Sequence, residues 1–267
     1  MQTRRMIVGA VALGVALLAA AATAGEETPT VEQIVEKANL AACYQGNDAR
    51  GAVHMVITDA QGRTRERKFV MLRRDVKDGA DQKFYLYFEE PADVRKMAYL
   101  VWKHVDKDDD RWLYLPALDL VKRIAASDKR TSFAGSHFFY EDVSGRSPQA
   151  DSHELAETTA EHYVLLNKPK DPKSVEFASF RAWIDKKTFI PMKAEFLDAT
   201  GKPYRVVEAL EVKEIQGFPT VVKSRVQDHR SGGNTVSEFS DVKYNLDLPD
   251  DVFSERYLRR APRKYLR

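Results

Sequence analysis

Cysteine is all but missing from this chain of 267 residues: Cys43 stands alone, so no intramolecular disulfide can form. Metal-binding patterns are missing as well. The six histidines, His54, His104, His137, His153, His162 and His229, offer no i, i+4 pair and no Cys/His spacing, which removes the usual zinc signatures. Asp106, Asp108 and Asp110 stand at the first, third and fifth places of a calcium loop. Arg111 replaces the glycine such a loop needs and Ala117 its closing glutamate, so the run reads as a solvated acidic turn. Gly135-Ser136-His137 lacks the second glycine of a nucleophile elbow, and adjacency in sequence does not make a nucleophile and base pair. We expect no catalytic residue, no metal and no cofactor. A linker rich in Pro, Gly or Ser is absent too, and with it any reason to divide the chain. The strand-helix-strand rhythm of a parallel α/β sheet is also absent.

A long apolar run occurs in one place. Arg4 and Arg5 precede Met6 to Ala22, and Ala22-Thr23-Ala24 supplies a small-x-small cleavage site. This predicts a secretory signal peptide over residues 1–24, cleaved after Ala24, and hence a soluble periplasmic protein made of residues 25–267. The run is short and alanine-rich for a retained span. The paired arginines raise the twin-arginine route, but without a fuller motif ordinary secretion is the expectation. Leu40-Ala41-Ala42-Cys43 spells a lipobox, yet Glu32, Glu36 and Lys37 come just before it, so Cys43 reads as a small hydrophobe near a helix end.

Charge of one sign is also lacking. Removing residues 1–24 takes away two arginines and no acid, leaving 40 basic against 40 acidic residues. A neutral chain without a basic block argues against nucleic acid as partner. The basic residues Arg256, Arg259, Arg260, Arg263, Lys264 and Arg267 do crowd the C-terminus, where transient contact with an anionic membrane or an acidic partner competes with simple solvation.

Thr28-Pro29-Thr30 opens a helix, with threonine suited to the N-cap, Pro29 to the first helical position, Gln33 three residues after Thr30 as in a capping box, and Val31, Ile34, Val35 and Ala38 as an apolar stripe. The stripe fits a helix plugging a sheet and a helix lidding a cavity equally well. From Gly51 onward the period becomes two. Strand-like runs follow at 65–73, 83–88, 98–104, 111–116, 120–124, 161–166, 177–184, 192–198, 205–212, 220–227 and 236–244, separated by turn formers such as Asp198-Ala199-Thr200-Gly201. The alternation predicts a long antiparallel meander. Thr220, Val222, Ser224 and Val226, with Met192, Ala194 and Phe196, oppose charged neighbours and are assigned inside. Taking Lys103 as outside puts Leu100 and Trp102 inside. Phe84, Leu86 and Phe88, with Leu113 and Leu115, are assigned inside by residue type, leaving Tyr85, Tyr87, Trp112 and Tyr114 outside. So large a sheet exceeds what one short helix covers, and a curled sheet with an apolar concavity resolves the mismatch.

The block W-L-Y-L-P-A-L at 112–118, then R-I-A-A-S-D-K-R at 123–130, F-x-G-S at 133–136 and F-x-Y-E-D at 138–142, resembles the periplasmic outer-membrane lipoprotein-sorting proteins, relatives of the LolA/LolB carriers. Trp183-Ile184-Asp185 with Pro191, Glu195, Asp198 and Gly201, and Phe253 to Arg259, resemble further parts of that family, so the likeness runs from about Val31 to Arg260. It implies a mainly β fold: a strongly curved antiparallel sheet forming a half-open β-barrel, with an N-terminal helix and helical or loop lids over a cavity for acyl chains. Two departures stand out. The chain is longer than the archetypal carrier, and that carrier's lid-locking arginine has no single counterpart here. Members of the longer kind are often associated with export transporters.

The expected ligand-binding residues are Phe84, Leu86, Phe88, Leu100, Trp102, Leu113 and Leu115, joined by Phe138, Phe139 and Tyr140 from the loop that places three aromatics beside Glu141 and Asp142. The expected role is a carrier of lipid or lipoprotein acyl chains toward the outer membrane, between an inner-membrane export transporter and an outer-membrane acceptor. Two alternatives stay open: a hydrolase acting on lipid or glycan, and a non-catalytic accessory or scaffold subunit of an envelope transporter.

Overall fold

The computed structural model describes residues 28–77 and 79–267; the signal peptide and cleavage site read from residues 1–24 lie outside them. Helix α1 (Val31–Cys43) leads into β1 (Asp48–Thr58), β2 (Thr64–Asp75), β3 (Gln82–Glu90), β4 (Ala98–Lys103), β5 (Asp110–Leu115) and β6 (Leu120–Ile124). A connecting segment, residues 125–150, holds the short helix α2 (Tyr140–Ser144). Then come β7 (Asp151–Thr158), β8 (His162–Pro169), β9 (Ser179–Asp185), β10 (Pro191–Leu197), β11 (Pro203–Ile215), β12 (Phe218–Asp228) and β13 (Gly233–Tyr244). A C-terminal strap carries α3 (Arg256–Arg259).

All thirteen strands form one antiparallel sheet in the order β6-β5-β4-β3-β2-β1-β13-β12-β11-β10-β9-β8-β7. Because β13 pairs with β1, the two free edges are β6 and β7, which are consecutive in the chain. The sheet is therefore an open barrel, and the connection from β6 to β7 has to cross the opening. Segment 125–150 is long enough to do so and touches both halves: Phe133 packs on Phe69, Phe88 and Tyr99 of β2, β3 and β4, and Arg130 lies over Phe177 and Phe196 on the other side.

Helix α1 is set by its cap. Thr30 Oγ1 accepts from the Gln33 backbone at 3.3 Å, and Gln33 Oε1 accepts from the Thr30 backbone at 2.9 Å. Pro29 sits before the cap rather than in the first turn. Ile34 and Ala38, flanked by Val31 and Val35, bury against Tyr163, Leu165, Ala182 and Ile184 of β8 and β9. The helix thus covers one end of the concave face. At the other end Val53, Met55, Ile57, Phe69, Phe88, Tyr99, Val101 and Leu113 make a packed cluster with Phe133 and Tyr140.

The convex face of β2 to β5 is dry as well, and this corrects one assignment. Leu100 and Trp102 do not point into the concavity: they lie on the convex side with Val70, Leu72, Tyr85 and Trp112, beneath Leu248, Val252, Phe253, Leu258 and Leu266 of the strap. Lys103, used above as the marker of the wet side, is the inward residue, and it is buried. The reasoning from charge fails at β4 because both of its faces are covered, so the alternation there separates two cores rather than core from water. Tyr85, Tyr87, Trp112 and Tyr114 are likewise convex yet covered. Polar tips on this face tie the strap down by its carbonyls: Tyr85 Oη donates to Tyr257 at 2.9 Å, Trp102 Nε1 to Phe253 at 2.8 Å, and Arg74 to Leu248.

Candidate functional site

The concave face encloses a cavity of about 490 Å³, within the range of small-molecule sites. Its position follows from side-chain size. Along the middle of the face the inward residues are small: Ser237 on β13, Ser224 on β12 and Ala209 on β11 stand in direct register, and Gly51 on β1 and Ala194 on β10 line the cavity to either side. Larger side chains at the two ends pack together, and the small ones between them leave space. The walls are mostly apolar: Met55, Phe69, Met71, Phe84, Leu86, Pro191, Val207 and Phe239 from the strands, Ile190 from the β9–β10 turn, and Ala41 to Cys43 from the end of α1. Segment 125–150 closes one side with Phe133, Phe138, Asp142, Val143, Ser144 and Gly145.

That segment is held by buried ion pairs. Arg205 of β11 is 1 % exposed; it donates to Asp142 of α2 and to the His137 carbonyl, and stacks on the Phe139 ring 4.4 Å from its centroid. Arg130 bridges Glu141 at 2.9 Å and Glu176 at 2.6 Å, and Arg146 bridges Glu141 at 3.3 Å and Asp151 at 2.8 Å. Burial works against the Arg130 cation, but its two carboxylates raise its pKa above the ordinary value. Burial alone would push the Glu176 carboxyl up; the hydrogen bonds from Arg130 and Tyr204 outweigh it and hold the group at about 2. On the remaining side the His137 ring presses on the start of β13, where a methyl on Gly233 would fall 2.5 Å from His137 Nε2. Glycine is required there by space.

Of the ten residues expected to bind ligand, Phe84, Leu86 and Phe138 line the cavity. Phe88, Leu113, Leu115 and Tyr140 belong to the packed cluster beside it. Phe139 is clamped between the Arg130 and Arg205 guanidinium groups, 4.8 and 4.4 Å from its centroid. Leu100 and Trp102 are on the far side of the sheet. Reading from single strands missed Met55, Phe69, Met71, Val207, Ala209 and Phe239, because a cavity lies where inward residues are small across several paired strands, and pairing is not written in any one of them. Cys43 lines the cavity at its α1 end. Among the described residues no cluster of His, Cys, Asp or Glu could hold a metal ion, and no helix is long and apolar enough to cross a membrane. The acidic turn pairs with cations, Asp108 with Lys129, Asp109 with Arg111 and Asp110 with Arg123, and the His104 ring lies 3.1 Å from Asp110.

Similar solved structures share this arrangement. A DUF1329 family protein from Desulfovibrio piger is 28 % identical with a TM-score of 0.78. A domain described as a candidate outer-membrane lipoprotein-sorting protein, from Vibrio parahaemolyticus, is 28 % identical with a TM-score of 0.77. A LolA superfamily protein from Nitrosomonas europaea, at 22 % identity and a TM-score of 0.66, shares the fold. Each comparison covers 86 % of this chain and 100 % of the other. No curated protein matches. Residues 80–260, more than half of the chain, match a family model described only as "Uncharacterized protein". The chain belongs to that family, and its fold is the open barrel of the outer-membrane lipoprotein-sorting, LolA-superfamily proteins.

Proposed function

We propose that this protein is a non-catalytic carrier that shields acyl chains of a lipid or lipoprotein in the concave cavity. The observation that carries the reading is the pairing of an apolar cavity of about 490 Å³ with a closing segment that packs on β2 to β4 through Phe133 and Tyr140 and is held to the other half of the sheet by ion pairs. An empty apolar cavity of that size forfeits packing energy that a bound chain restores. The sorting role in the description of the Vibrio parahaemolyticus relative points the same way. On this reading residues 1–24 direct export and are removed, the protein works in the periplasm as a single unit of residues 25–267, and it passes cargo between a transporter in the inner membrane and an acceptor in the outer one. An intact mass corresponding to a chain that begins at Gly25 supports that location; a lipid-modified chain beginning at Cys43 contradicts it.

The binding test uses a fluorescent acyl probe and a variant that fills the small-residue zone, Ser224→Phe. The wild-type chain should bind the probe, and the variant should bind at least about tenfold less, since a phenyl ring takes the place of ligand contacts. Unchanged binding would move the site elsewhere. Release of fatty acid from a lipid ester by the purified chain would contradict the non-catalytic part of the reading.

A further inference from the structure

Lys103, the last residue of β4, is 3 % exposed, and among the described residues no oxygen accepts a hydrogen bond from its Nζ. An ammonium group withdrawn from water without an acceptor is costly, and buried charges are ordinarily paired. The packing of β4 accounts for an inward stem at this position. It does not account for the charge, since Met or Leu would fill the same space.

The surroundings of Nζ give the charge a purpose. The ammonium lies 5.8 Å from the centroid of the Tyr44 ring. A methyl built on Gly145 would fall 3.7 Å from Nζ and 3.4 Å from Cys43 Sγ. Gly145 has a φ of +77°, so no side chain is easily accommodated there. Cys43, Ser144 and Gly145 all line the cavity, and Lys103 stands immediately behind this stretch of bare backbone. The cations that do line the cavity have acceptors already. Arg73 donates to the carbonyls of Cys43, Gln45 and Gly46, Arg50 to that of Leu266, and Lys193 to Glu195.

We propose that Lys103 is the anion-recognising end of the cavity, and that its ligand is an anionic amphiphile: an acyl chain lying along Phe84, Leu86 and Phe138, with a carboxylate or phosphate oxygen that reaches Nζ past Gly145. The inference rests on the acyl-carrier reading and narrows its cargo, because an uncharged head group could at most accept a hydrogen bond and would leave the buried ammonium without a counter-charge. A charge-assisted hydrogen bond in a dry site is the strong kind.

The test compares oleate with oleyl alcohol, which share a chain and differ in charge, on the full mature protein and on Lys103→Met and Lys103→Arg. The wild type should bind oleate about tenfold more tightly than the alcohol, the ratio expected of one hydrogen bond to a charged group. Lys103→Met should erase that ratio by weakening oleate while leaving the alcohol unchanged, and Lys103→Arg should keep it. Equal affinities in the wild type, or a preference that survives in Lys103→Met, would overturn the proposal while the alcohol's binding still upholds the carrier reading. Binding of neither compound to the wild type would overturn both. If Lys103→Met binds neither, Lys103→Arg decides: a retained preference supports the proposal and a lost one overturns it. Inorganic phosphate should fail to displace oleate at equal concentration; displacement would make this a free-anion site and overturn the claim that the charge belongs to an amphiphile.

Discussion

Arg205 reaches across the concavity from β11 and carries its charge at 1 % exposure, with Asp142 as its ionic partner. Such a pair holds two elements in one register, and breaking it from one side leaves a charge stranded. Asp142→Ala should therefore cost about 3–5 kcal/mol, whereas replacing both partners with Asp142→Leu and Arg205→Met should cost less than the single change. Urea denaturation of the two variants measures it, and a double variant that costs more than Asp142→Ala would show that the pair is not coupled. A second prediction separates cavity from core among neighbouring inward residues. Leu113 sits in the packed cluster, so Leu113→Phe should cost about 1–3 kcal/mol by overpacking. Ala209 faces open space, so Ala209→Phe should hold its melting temperature within a few degrees, a shift of roughly 1 kcal/mol or less. Equal losses would mean that the cavity collapses around both. Leu113 and Leu86 look alike in sequence, as alternate apolar residues on inward faces, and both pair with Tyr99; what distinguishes them is the strand on the other side, where Leu86 meets Met71 of β2 at the cavity wall and Leu113 meets Lys122 of the edge strand β6.

At the scale of elements, the parts bound by local rules were the legible ones. The Thr30 cap, the Ile34 and Ala38 stripe and most strands follow from capping chemistry and period two. The strand β7 was not legible. It is a free edge in which Leu155 is flanked by exposed Glu154 and Glu157, so the alternation that marks a half-buried strand is faint. The strap was missed for a different reason: Leu248, Phe253 and Leu258 are too widely spaced to form a pattern, and what they cover is known only once the convex face of β2 to β5 is. The crowded C-terminal arginines are consequently not a loose tail, because Pro262 and Leu266 are buried among them. Phe253→Ala should cost about 3–5 kcal/mol, read by thermal or chemical unfolding; a loss below about 1 kcal/mol would mean that the strap contributes little to the fold.

The closing segment gives an element-scale prediction in pH. The Glu176 carboxyl is depressed from 4.5 to about 2 in the folded state. A depressed carboxyl contributes stability in full above its unfolded pKa, and the contribution is lost as pH falls through the folded value. Segment 125–150 should thus be held at neutral pH and loosen between about pH 4.5 and 2. With 32 % of the Glu176 side chain in contact with water, the loss should be on the order of 1 kcal/mol. Amide exchange in residues 125–150 should quicken over that window relative to β1 and β2, and the dependence should vanish in Glu176→Gln. Equal protection at pH 7 and pH 3 would contradict this.

For the whole molecule, the order of the strands determines where a cavity can be. Closing β13 onto β1 leaves the open edges at β6 and β7, and the chain between them must cross the opening. Small residues at the middle of the concave face, a helix over one end and an aromatic cluster at the other then leave one apolar space under the crossing segment. The measurement that bears most directly on a carrier role is native mass spectrometry of the purified mature protein, with extraction and identification of whatever it holds. The account predicts a mass increment of one acyl lipid per chain, absent or much reduced in Ala209→Phe. A chain that carries no lipid, and takes up none when incubated with acyl lipids, would contradict it.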